Sequence, residues 1–128
     1  MKRFLAVLVA GVWINISEFV RNELLLKSYW TEHYESLGLS FPGEAINGAV
    51  WGIWAYLFAI AIAALSRKFS FGGTFLWAWI MGFVMMWLVT GNMLVLPLSI
   101  LPYAIPLSLL ETGLALWLIL KIDPVQKA

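Results

Sequence analysis

From Ala45 to Leu65 the chain reads AINGAVWGIWAYLFAIAIAAL, twenty-one residues without a charged side chain. At about 1.5 Å per residue a helix of this length matches the roughly 30 Å of hydrocarbon in a bilayer. A helix with no polar face has none to turn toward water, so the segment predicts a membrane span. Moving outward, Thr74 to Leu96 is also uncharged, and Tyr103 to Leu120 carries only Glu111. On the other side, Phe4 to Ile14 is apolar but covers about half a bilayer before Asn15, Ser17, Glu18, Arg21, Asn22 and Glu23 arrive. That helix spans only if polar groups enter the membrane. The expected fold is an all-α integral membrane bundle in one domain, residues 1–128. Its helices are expected over about 4–27, 45–65, 74–96 and 103–121, with an outer connection over 28–44.

Composition agrees. The 128 residues are 62% hydrophobic and 12% charged, where soluble domains run at about 45–50% and 25%. Having no cysteine, the chain lacks the means for disulfide staples, thiol redox chemistry, thiolate zinc or iron–sulfur clusters. One histidine, His33, supplies neither two axial haem ligands nor a His-rich metal site. No cofactor and no metal are expected, and a net charge of +1 offers no basic excess for nucleic acid. Met1-Lys2-Arg3 before an apolar run has the look of a signal peptide. No small-x-small cleavage pattern follows, so retention as a helix is expected.

If four helices alternate, Lys2, Arg3, Arg67, Lys68, Lys121 and Lys127 fall on one side. Lys27 alone sits in the opposite connections, with Arg21 inside the first helix. This bias predicts cytoplasmic N and C termini in a multi-pass cell-membrane protein, and argues against dual topology. The connection 28–44 holds Tyr29, Trp30, His33 and Tyr34, expected as an interfacial aromatic cap, then a turn at Ser40-Phe41-Pro42-Gly43. Gly48-xxx-Gly52, continued by Ala55, Ala59 and Ala63, predicts close helix packing, as do Gly82, Gly91 and Gly113.

The polar residues share a depth. Glu18, Thr90, Asn92, Glu111, Glu44 and Asn47 all fall toward the outer half of the predicted spans, which points to one shared outward-facing pocket among the first, third and fourth spans. At 100° per residue Gly11, Asn15, Glu18 and Asn22 form one stripe, with Arg21 beside Glu18. Ala104, Ser108, Glu111 and Ala115 form a small, polar face on the last helix. Two carboxylates and one guanidinium leave a deficit of positive charge, so either one carboxyl carries a proton or a cation occupies the site. Glu18, Glu111, Arg21, Asn15, Asn22 and Asn92 are therefore the expected ligand-binding residues, with no catalytic residue assigned. Trp51 or Trp87, if turned inward, would add an aromatic wall suited to an amine.

A carboxylate at Glu18 in the first of four short helices resembles the small multidrug resistance transporters, although the long connection departs from their tight loops. The runs Glu18 to Glu23, Trp51 to Trp54 and Pro106 to Glu111 resemble those of small prokaryotic four-helix integral membrane proteins, a resemblance that carries no activity with it. The expected function is a small transport or binding protein for a cation, proton or small amine. A protomer this small encloses little volume, so transport implies a homodimer or a membrane partner protein. The alternative is an accessory subunit whose polar cluster only joins helices. An enzyme acting on lipid is a weaker alternative, since neither a nucleophile–base pair nor a phosphate-binding glycine loop is found.

Overall fold

The computed structural model describes residues 1–126 and is helical throughout, with no strand among the described residues. Lys127, counted above on the basic side, lies outside them. Helix α1 runs Lys2–Leu25, α2 Lys27–Ser36, α3 Ala45–Leu65, α4 Phe71–Asn92 and α5 Leu98–Ile122. All but α2 are long and apolar enough to cross a membrane.

Helix α1 lies between α3 and α5 and packs on both, while α4 closes the bundle chiefly against α5. Small side chains make the approach close: Ala6 and Ala10 of α1, Ala55 and Ala59 of α3, and Ala115 of α5 are wholly buried. Larger residues fill the remaining space, namely Ile14, Phe58, Ile62, Phe83, Leu116 and Ile119. Gly11 faces the Tyr56 ring so closely that a Cβ would collide with it. A Cβ on Gly82 would come to 2.7 Å from the Phe58 ring. Gly48 faces open space instead, so the packed small-residue face of α3 starts one turn later than expected, at Gly52 beside Asn15.

Local chemistry sets the ends. Glu44 and Asn47 form a reciprocal capping box that starts α3, so they cap a helix and do not join the other polar groups. Ser70 Oγ accepts the Gly73 N–H at 3.2 Å, which starts α4 at Phe71 rather than Thr74. That helix also ends earlier than expected, because Leu94 takes a left-handed φ of +64°. Conversely α5 begins early, as a 3-10 turn over Leu98–Ile100. Pro102 falls in the first turn, where its missing N–H costs nothing, and Pro106 removes only one amide bond near the start.

The largest departure lies in the connection 28–44, expected as a loop but opened by α2. This helix ends in a Schellman motif: Gly38 has φ +73°, its N–H reaches the Glu35 carbonyl, and the Leu39 N–H reaches that of Tyr34. Leu26, just before α2, joins Leu96, Ile100 and Ala104 in a second buried cluster with Tyr29 and Trp30 packed on it. The aromatic residues thus cap that end of the bundle through a folded helix.

Only 17–33% of the most apolar stretch of each long helix is buried within the bundle. Leu5, Leu8, Val12, Ile16 and Phe19 of α1 point outward, as do Ile53, Leu57 and Ile60 of α3. A soluble monomer does not expose a continuous apolar belt of this extent. Such a surface is consistent with a multi-pass membrane protein.

Candidate functional site

Glu18 and Arg21 of α1 meet Glu111 of α5 inside the bundle. Glu18 is 5% exposed, Arg21 6% and Glu111 0%. Arg21 bridges the two carboxylates: its Nη2 donates to Glu18 Oε1 at 2.5 Å, and its Nη1 to Glu111 Oε1 at 3.5 Å. Asn22 Nδ2 donates to the second Glu18 oxygen at 3.0 Å. Glu18 is therefore engaged on both oxygens, whereas Glu111 is held weakly on one. Its Oε2 is buried and has no hydrogen-bond partner among the described residues, a costly condition for a carboxyl oxygen. Trp13 fixes the backbone beneath it, donating from Nε1 to the Glu111 carbonyl at 2.9 Å.

Two departures from regular helix shape the site. Val20–Leu25 of α1 is a π-helical stretch, closed by the Leu26 N–H on the Arg21 carbonyl at 2.9 Å. Ile80–Val84 of α4 is another, closed by the Met85 N–H on the Ile80 carbonyl. The first carries Arg21 and the second Phe83, and these two residues meet, with the guanidinium carbon 5.1 Å from the Phe83 ring centroid. Widened turns of this kind recur at functional sites. Phe83 in turn touches Trp54, Phe58 and Trp87 at ring separations of 5.9, 5.7 and 5.8 Å. The aromatic wall expected from tryptophan alone is thus centred on a phenylalanine, with Trp87 taking part and Trp51 exposed on the outer face of α3.

Of the six residues expected to bind a ligand, Glu18, Arg21, Glu111 and Asn22 come together. Asn15 does not join them: its Nδ2 turns back to the Gly11 carbonyl at 2.9 Å. Asn92 does not either, because α4 ends there and the residue is exposed. Thr90 donates to its own helix at the Met86 carbonyl. The outer-half polar set therefore divides into one charged cluster and several helix-end contacts. Sequence reasoning also missed Phe83 and Trp13. The only signal for either was adjacency, Phe83 following Gly82 and Trp13 lying within two turns of Glu18.

The cluster is closed. Its three charged side chains are at most 6% exposed where an open pocket was expected, and further toward the α2 end of the bundle Leu26, Leu96, Ile100 and Ala104 form the second buried cluster, each no more than 3% exposed. Above them α2 is tied down by His33 Nε2, 2.7 Å from the Leu94 carbonyl, and by Tyr29 against Tyr103 at 6.0 Å between rings. The chain matches no protein-family model, no curated protein and no solved structure.

Proposed function

We propose that this chain is a multi-pass integral membrane protein with both termini in the cytoplasm. It takes up a proton or small cation, including a small amine, at the Glu18–Arg21–Glu111 cluster. The single observation that carries this reading is the bare Glu111 Oε2, buried beside one guanidinium that is shared by two carboxylates. The cluster lacks one positive charge, and the unpartnered oxygen is where that charge would sit. A proton supplies the missing charge with no change of volume. An ammonium group supplies it with donors, and Phe83 and Trp87 offer it π-faces. Entry requires the buried cluster to open, and α2 is the element to move, since it joins the π-helical stretch that carries Arg21 through the single residue Leu26. Such a movement turns the closed cluster into the outward-facing pocket of a transport or binding protein, whose translocation path a second copy or a membrane partner would complete.

A second reading is favoured by the closure itself: the cluster serves as a joint between α1 and α5 in an accessory subunit. Intrinsic tryptophan fluorescence of the solubilised protein separates the two. The proposal expects a saturable change on titration with protons or with a panel of alkali-metal and alkylammonium ions, abolished in Glu111→Gln and Glu18→Gln. A flat response in a protein whose two variants are merely destabilised overturns it in favour of the joint.

A further inference from the structure

The opposite end of the bundle carries a separate site. Lys2, Arg67, Asp123, Pro124 and Gln126 line a cavity of about 360 Å³ where α1 begins, α3 turns into α4 and α5 ends. Arg67 forms its floor: it bonds the Asp123 carboxylate, the Asp123 carbonyl at 3.1 Å and, weakly, the Pro124 carbonyl at 3.4 Å. Its Nε–H is buried without an acceptor among the described residues. Asp123 is also shared with Arg3 at 3.6 Å, so its single charge is spread over two guanidinium groups. Lys2 meets no carboxylate among the described residues, and the cavity retains a positive excess.

Charge along the whole molecule points the same way. This end gathers Lys2, Arg3, Arg67, Lys68 and Lys121 against Asp123, while the other gathers Glu23, Glu32, Glu35 and Glu44 against Lys27. Beside the basic residues in sequence stand Phe4, Phe69 and Phe71, all exposed. A cationic recess at the end of a bundle whose long helices expose an apolar belt suits a molecule with an anionic phosphodiester head and apolar chains. A free phosphate would have no use for that apolar surface.

We propose that the Lys2–Arg67–Gln126 cavity binds the phosphodiester headgroup of an anionic phospholipid, with Arg67 and Lys2 on the phosphate oxygens. The proposal rests on the membrane-spanning part of the reading above but not on the Glu18 cluster. Native mass spectrometry of the purified full chain tests it, with added phosphatidylglycerol, phosphatidylcholine or the soluble glycerophosphodiester headgroup. Selective retention of phosphatidylglycerol is expected, reduced about fivefold by Arg67→Gln, the order of one basic side chain at an anionic surface. Lys121→Gln should leave it unchanged, since that ammonium lies over the Trp117 ring. Because Arg67 also ties the helix ends together, Lys2→Gln decides the matter if Arg67→Gln fails to fold. Equal retention of the two lipids, retention unaffected by the folded variants, or equally tight binding of the soluble headgroup overturns it. A chain that alkaline carbonate strips from membranes fails the membrane reading instead, whereas one that stays but shows no lipid preference fails only this inference.

Discussion

Arg21 is the residue on which the interior charge depends. Removing a guanidinium that is 6% exposed leaves two carboxyl groups facing each other with no cation between them. Loss of one partner from a buried ion cluster costs about 3 kcal/mol or more, because the remaining charges stay desolvated. Arg21→Met should therefore unfold in detergent at markedly lower denaturant than the parent. The triple variant Arg21→Met, Glu18→Gln, Glu111→Gln should recover much of that loss, and stability curves of the two check it. Equal destabilisation of both would mean that the guanidinium acts through packing on Phe83. Glu18, Arg21 and Glu111 were legible in the sequence because a charge amid apolar residues has few places to go. Phe83 was not, since nothing in an apolar run tells which aromatic ring will meet a cation. Asn15 and Asn92 misled for a related reason: a short amide side chain bonds its own helix, or marks its end, as readily as it reaches across.

Among the elements, the four long helices could be read from apolar length alone, whereas α2 could not. Its sequence KSYWTEHYES is preceded by Leu26, which offers no side-chain cap, and its i, i+4 pairs Tyr29–His33 and Trp30–Tyr34 span little more than one turn among polar residues. The signal that was present, Gly38 as the left-handed residue beyond a helix end, was absorbed into a loop. The π-helical turns escaped because the i, i+3, i+4 pattern assumes regular helix throughout. Two predictions belong at this scale. A bulkier residue at Gly82 must displace the Phe58 ring, so Gly82→Val should destabilise by about 1–3 kcal/mol. Gly48→Val, in open space, should stay close to the parent, and thermal unfolding of the pair checks the contrast. Replacing His33 with Ala removes the bond to the Leu94 carbonyl. If α2 gates the cluster, ligand-induced fluorescence should rise about fivefold faster in His33→Ala, the worth of one hydrogen bond. An unchanged rate would mean that α2 is not the gate.

At the scale of the whole molecule, the charge is segregated between the two ends of an apolar cylinder. The basic end, with Lys2, Arg3, Arg67 and Lys68, should face the cytoplasm. With no native cysteine, single-cysteine variants report this cleanly. A cysteine at Ser70 should resist impermeant maleimide in intact cells, and one at Ser36 should react. The reverse pattern would invert the topology, and half-reaction at both would reveal two orientations. The measurement that bears most directly on the central claim is difference infrared spectroscopy of the protein reconstituted in bilayers, comparing parent with Glu111→Gln while cation is added and while pH is changed. The proposal predicts that cation binding discharges a proton from the cluster, seen as loss of a protonated-carboxyl band that the variant lacks. A carboxyl region that stays unchanged in both proteins under cation addition and under a change of pH would contradict an exchangeable site at Glu18, Arg21 and Glu111, and would leave the cluster as a joint between helices.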